Sequence, residues 1–443
     1  MLMNEWAEKL SRIEQDANFR ARCFSQLFSA PLTKLARIAG VAEAPVRAAG
    51  HYIEYGTRRV FDGVAGVACS VRGHNPPHFV EEMRSMPPSK ECWEESKRRF
   101  ETLAGLPHAA PAVSGAAAVE LAFKLALVAQ APKTHFLTLR GGYAGKTIFA
   151  LTGTWQESLK RGIGPLYPHV VSVDPFAPAA AAAVKAALQV YPVALIHVEA
   201  IQGVGGVRAV PEEILRCISE ARRPAGPLLL VDEIQTGMFR TGPFCRSTDV
   251  QLAPDLMTIG KATSDMMAPS SFTLYSQHVH ELLHNRECRL AEEALQFHQY
   301  PLTFPALLRT LRTFDELQLS DRVRQCGARF STRLHQLLAD CPSVKAIRCF
   351  GLLVGIELDS SRGLARYLGK LAAQLAMREM LFDEQFPLLM GFCQYEPHVL
   401  KFTPPLSITD AEIDRSCETI ARALRLSNLR LLWNGVRGSW KTW

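Results

Sequence analysis

Two segments of the chain hold residue types that could do carbonyl chemistry. The first is PLLLVDEIQTGMFRTG, in which Asp232 closes an aliphatic run, and the second is PDLMTIGKATSD, in which Lys261 closes another. An unpaired carboxylate at the end of a buried strand is costly and calls for a cationic partner. A lysine at the end of an apolar run is partly desolvated, which lowers its pKa and makes the amine a nucleophile toward carbonyls. Either residue alone reads as half of a structural salt bridge. Their surroundings favour chemistry.

In VSGAAAVELAFKLA (113–126) a Ser-Gly turn opens an amphipathic helix, whose first free amides and dipole make an anion site. By itself that signal is weak, since small residues start many helices. RGGYAGKT (140–147) approaches a nucleotide-phosphate loop but has Arg140 where GxxxxGK[ST] needs glycine, which argues against a nucleoside triphosphatase. Tyr143, set between glycines, is a ring that could stack on a flat heterocycle or pack on the core. An anion site, an aromatic plate, a strand-end acid and a desolvated lysine together are what a phosphorylated pyridine aldehyde requires.

The elements that must position these groups are readable. ALIHVE (194–199) and PLLLVD (227–232) are short aliphatic runs ending in acids, separated by the helix-like PEEILRCISEARR. This predicts a βαβ unit in a parallel sheet, with HFLTLR (135–140) and TLYS (273–276) as further strands and the alanine-rich 175–190 as a helix. Both acids then lie at carboxyl ends of strands, where open α/β sheets bind ligands. Residues 77–305 are expected to form a large, doubly wound, mostly parallel α/β domain. Helical spacing from 306, the strand-like KAIRCFGLLVGIEL and the helix ITDAEIDRSCETIARALRL predict a small α+β domain over 306–424, completed by 1–76 through a helix and a hairpin. Residues 425–443 form a basic tail bearing Trp433, Trp440 and Trp443, either docked or disordered.

Composition bounds the alternatives. With 48% hydrophobic and 21% charged residues and a mean hydropathy of +0.01, the chain is neither disordered, fibrous nor coiled-coil. No run approaches the roughly 20 apolar residues of a membrane helix, and the amino terminus is charged without a signal peptide's apolar region, so the cytoplasm is expected. Eleven cysteines with no CxxC pair argue against disulfide frameworks and metal sites. The net charge is +7, and the tail supplies more than half of it, which excludes a nucleic-acid footprint.

From GHYIEYGTRRVFDGVAG (50–66) to HVLKFTPPLSITDAEID (398–414) the chain resembles the class-III pyridoxal-phosphate-dependent aminotransferases, the group of ornithine, acetylornithine, 4-aminobutyrate and putrescine enzymes. DEIQTGMFRTG with PDLMTIGK is the most specific part. The resemblance implies the fold-type-I transferase architecture and pyridoxal 5′-phosphate as cofactor. It implies that Lys261 forms the internal aldimine and moves the substrate proton, and that Asp232 pairs with the pyridine nitrogen. Gln235 would bond the phenolic oxygen and Tyr143 stack on the ring. The amides of Gly115 and Ala116 would hold the phosphate, and Glu199 would lie near the ring oxygen, supported by Gln202. A homodimer with two active sites at its interface is also implied.

The departures concern substrate and interface. Ala116 and Ala117 stand where hydroxyl or acidic residues are common, and Ala144 replaces a histidine. Val204 takes the place of an acid and Lys401 that of an arginine, both members of a gating pair in ornithine-type enzymes. A lysine is a point charge without the planar fork of arginine, so Lys401 would bind a substrate carboxylate loosely, pair elsewhere or reach to water. Val67 near a tyrosine position makes the pocket wall apolar, which implies a bulkier or more apolar amino substrate than ornithine, as in specialised metabolism. Where relatives present a threonine to the neighbouring subunit's phosphate, Thr303 is the nearest candidate, with Tyr300 and Gln299 as substitutes. After Lys261, ATSDMM replaces a glycine-rich run, so Ser264 and Asp265 are expected to stiffen a loop close to the active site.

The expected activity is transfer of an amino group from an amine or amino acid to a keto acid or aldehyde by a ping-pong mechanism. The alternatives are another reaction on the same fold (racemase or epimerase, decarboxylase, lyase) and a non-catalytic protein.

Overall fold

The computed structural model describes residues 2–16, 19, 22–23, 26, 45–56, 58–86, 90–222, 225–297, 302–359, 361, 370–426, 430–431 and 433–434. Tyr300 and Gln299, and the tail's Trp440 and Trp443, lie outside them.

Seven strands form the central sheet: β1 (His108–Ala112), β2 (His135–Leu139), β3 (Val170–Val173), β4 (Val193–Val198), β5 (Leu228–Asp232), β6 (Leu256–Ile259) and β7 (Ser271–Tyr275). Their order is β1-β7-β6-β5-β4-β2-β3, and only β7 runs antiparallel to its neighbours β1 and β6. Every residue of β4, β5 and β6 is buried, as expected of strands covered on both faces. The Ala- and Leu-rich α1 (Gly115–Gln130) lies across one face, where its small side chains permit close approach to the sheet. The helices Ala180–Val190 and Glu212–Glu220 cover the other. Because β1 to β6 are parallel, their carboxyl ends share one sheet edge, and the amino end of β7 joins them.

A second sheet is antiparallel: β8 (Val344–Phe350), β9 (Leu353–Leu358), β10 (Gly391–Phe392) and β11 (Val399–Phe402), in the order β8-β9-β11-β10. The amino-terminal hairpin Tyr52–Tyr55/Arg58–Asp62 pairs in parallel with Leu388–Leu389, so the two ends of the chain meet in one sheet. The helical run predicted from 306 is two helices, α2 (Thr303–Glu316) and α3 (Leu319–Leu338), broken where Gln318 adopts φ +47. A capping box between Thr409 and Glu412 starts the final helix α4 (Asp410–Leu424). One core cluster runs without a break from Trp93, Met257 and Phe272 beside the central sheet to Phe330, Phe402 and Ile420.

Candidate active site

The strand ends converge on a cavity of ≈ 720 Å³. Gly115, Ala116, Tyr143, Glu199, Asp232, Gln235 and Lys261 all line it, as do Val67 and Val204. Lys401 and Thr303 do not.

Asp232 is 5% exposed, and its Oδ1 accepts the Ile234 N–H at 2.9 Å. Among the described residues the only basic group within 4 Å of its Oδ2 is His197 Nε2, at 3.5 Å, and no lysine or arginine pairs with it. The salt bridge with Lys261 that would make both residues structural is therefore not formed. Lys261 has φ +53 and ψ −86, and its Nζ has no hydrogen-bond partner among the described residues. A buried carboxylate without a cation and a free amine share one cavity. Asp232 lacks the cation that its burial calls for, and the half-buried Lys261 has no partner of its own among the described residues.

Neighbouring polar groups show the same incompleteness. Gln235 Nε2 is buried and unpartnered. At the start of α1, Ser114 caps the Ala117 N–H, leaving the amides of Gly115 and Ala116 free in the first turn. Their close surroundings explain two small residues: a Cβ on Gly115 would lie 2.7 Å from Ile234 Cδ1, and one on Gly145 would lie 2.6 Å from Ala116 Cβ. The helix start is thereby kept open to an anion.

The Tyr143 loop is braced from three sides. Glu199 Oε1 accepts the Tyr143 N–H at 2.7 Å while Oε2 accepts that of Gly203 at 3.2 Å. Gln202 Nε2 donates to the Arg140 carbonyl at 2.6 Å, and Thr154 Oγ1 accepts from Ala144 and Gly145. Burial, followed by the charge of Asp232, pushes the Glu199 carboxyl up to about 7. Burial also raises the Tyr143 phenol, which meets the Tyr395 ring edge-on at 6.5 Å between centroids.

The wall facing Lys261 is strained. Ala65, Gly66, Val67 and Ala68 all have positive φ, and Ala68 and Cys69 donate to the carbonyls of Val64 and Ala65: one turn of left-handed helix. Three of these residues carry a Cβ, so the turn costs roughly 3–6 kcal/mol. Buried polar groups hold it in place. Asp62 Oδ1 accepts the Val64 and Ala65 N–H groups, and Arg240, 1% exposed, donates to the carbonyls of Ala68, Ser70, Leu352 and Pro404. Val67, 48% exposed, projects from this turn beside Cys69.

Residues 40–424 match the class-III aminotransferase family. The chain belongs to that family. It is a pyridoxal-phosphate-dependent aminotransferase. It is 30% identical to an acetylornithine aminotransferase of Methanosarcina mazei, over 83% of this chain and 87% of the relative. A [LysW]-aminoadipate semialdehyde transaminase of Deinococcus radiodurans is 27% identical over 84% of this chain and 83% of its own. An ornithine aminotransferase structure from Toxoplasma gondii superposes with a TM-score of 0.79 at 22% identity, covering 98% of this chain and 99% of that one, which shows the shared fold.

The aminotransferase's sequence departures have definite surroundings. Lys401, on β11 between Gly355 and Gly391, is 6% exposed and does not reach bulk water. Its Nζ donates to the Gly203 carbonyl at 3.4 Å and meets no carboxylate among the described residues. Burial lowers its pKa. Thr303, at the first turn of α2, donates to the Pro269 carbonyl at 3.5 Å. Sequence reasoning passed over Cys69, Met266 and Gln394 of the cavity wall, as well as Thr154 and Arg240 behind it. The one signal was ATSDMM in place of glycines.

Proposed function

We propose that the cavity takes an amino donor with an apolar body and passes its amino group to a carboxylate-bearing keto acid. The observation that carries this reading is that one cavity holds an Asp232 carboxylate with no lysine or arginine partner, and a free Lys261 amine, among the described residues. When bound, pyridoxal phosphate supplies an aldehyde that takes up amines and a cationic ring that withdraws electrons from the carbon losing its proton. The residues present fit that group. Asp232 offers the acid for the ring nitrogen, Gln235 Nε2 a donor for the phenolic oxygen, Tyr143 a face for stacking, and the amides of Gly115 and Ala116 the phosphate site.

In this reading Lys261 Nζ first holds the cofactor, then takes the proton from the donor's amino-bearing carbon and returns it on the other side of the exchange. Glu199 ties the Tyr143 loop to Gly203 through its two oxygens. Val67 and Val204 form the apolar wall that contacts the donor. Lys401, bonded to the Gly203 carbonyl behind the cavity wall next to Val204 and meeting no carboxylate among the described residues, is the cation we assign to the acceptor's carboxylate. The assembly we propose is a homodimer, with Thr303 as the residue nearest the segment that serves the neighbouring phosphate. A cytoplasmic location is supported by eleven cysteines that are all unpaired. No helix among the described residues is long and apolar enough to cross a membrane.

The test is an absorbance titration of the cofactor-loaded enzyme with a panel of amines and no keto acid. Conversion of the lysine-bound band by apolar donors, and its recovery on adding a keto acid, is expected. Conversion by ornithine alone would overturn the assignment of the apolar wall.

A further inference from the structure

The loop after Lys261 contains a buried acid that stands where a glycine would be conformationally natural. Asp265 has φ +52 and ψ +41, and Met266 follows at φ +65. Asp is among the few residues with a side chain that accept this conformation. Yet Asp265 is 1% exposed, and its carboxylate is fully committed. Oδ1 accepts the Val71 N–H at 2.7 Å and the Arg72 N–H at 3.1 Å, while Oδ2 accepts Arg72 Nε at 2.8 Å.

Those partners belong to the segment that leaves the left-handed turn. Arg72 continues the link through Nη1 to Glu82 at 3.1 Å, and Glu82 accepts Arg309 Nε of α2 at 2.7 Å. The two strained loops also touch directly, since a Cβ on Gly66 would lie 2.5 Å from Met266 Sδ. One carboxylate thus ties the loop carrying Lys261 to the loop carrying Val67. Both lie in conformations that would relax if released.

We propose that Asp265 is a positioning residue, whose carboxylate fixes the Lys261 amine at a set distance from the donor-facing wall at Val67. This rests on Lys261 being the lysine that holds the cofactor. An acid does here what glycine cannot: it permits the left-handed backbone and also bonds the opposite loop. Loops anchored in this way hold a reacting group within a fraction of an ångström, and a displacement of ~1 Å costs on the order of 100-fold in rate.

The experiment uses the full-length, cofactor-loaded enzyme with Asp265→Asn, Asp265→Gly and Asp265→Ala. Asparagine keeps both the left-handed preference and an acceptor oxygen, glycine keeps only the conformation, and alanine keeps neither. Expected is kcat within ~10-fold of wild type for D265N and lower by about 100-fold for D265G, with KM for the donor changed less. The pH midpoint of the lysine-bound cofactor's absorbance should stay near the wild-type value in D265N and move in D265G. If D265A does not fold, the comparison of D265N with D265G decides. Equal activity and equal midpoints for those two would show that only the backbone conformation matters and would overturn the proposal. A Lys261→Ala control that kept the absorbance band would instead overturn the assignment of Lys261, leaving the two failures distinguishable.

Discussion

Replacing Lys401 by methionine separates binding from stability, because the two should move in opposite directions. The Lys401 ammonium carries three N–H donors, and one long bond of 3.4 Å to the Gly203 carbonyl is its sole hydrogen bond among the described residues. Each buried donor left unbonded costs ~1–3 kcal/mol, and even a buried ion pair can be replaced by apolar side chains of similar volume at no cost or with ~1–4 kcal/mol gained. Set against loss of the single weak bond, Lys401→Met should stabilise the cofactor-free protein by roughly 1–3 kcal/mol. Unfolding entropy of ~2.1 cal/mol/K per residue over a chain of this length makes that a rise in Tm of about 1–3 °C by calorimetry. Single-turnover kinetics of the enzyme in its amino form should show keto acids binding about 10- to 150-fold more weakly, the equivalent of one charge-assisted bond of ~1.5–3 kcal/mol. An aldehyde acceptor without a carboxylate should react as with wild type. A lower Tm together with unchanged keto acid affinity would refute the reasoning and make Lys401 a structural cation.

Other perturbations have equally definite outcomes. Burial alone would raise the Glu412 carboxyl, but hydrogen bonds from His51 and from the Thr409 N–H hold it at about 2, below the ordinary 4.5. A depressed carboxyl contributes stability above pH 4.5 that is lost as pH falls toward 2, so the Tm of wild type should drop more steeply across that window than that of Glu412→Gln. Gly145→Ala would strain a backbone at φ +135 and press a Cβ to 2.6 Å from Ala116. It should weaken pyridoxal phosphate binding by ~10-fold or more, while pyridoxal without the phosphate binds as before, as measured by equilibrium dialysis.

How far the sequence could be read depended on whether a feature was local. The aliphatic β4 and β5, the helix between them and the Ser114 cap are written in consecutive residues, and the family motif DEIQTG with its downstream lysine marked Asp232, Gln235 and Lys261. β1 escaped notice because HAAPA has little strand propensity. Its Pro111 is tolerated because β1 is an edge strand, paired on one side only with β7. The break between α2 and α3 at Gln318 carries no glycine or proline to announce it. The left-handed turn, the four-carbonyl grip of Arg240 and the reach of Asp265 to Arg72 depend on contacts across 112 or more positions, which no spacing rule encodes. Lys401 was visible as a substituted arginine, but its burial without an acid followed only from the packing of β11 against Gly203.

The central claim is that Lys261 holds the cofactor in this cavity. The most direct measurement is borohydride reduction of the enzyme loaded with pyridoxal phosphate, followed by proteolysis and mass spectrometry of the lysine peptides. The account predicts one pyridoxyl-phosphate adduct per chain, on Lys261. An adduct on Lys401 or another lysine, with Lys261 unmodified, would contradict it.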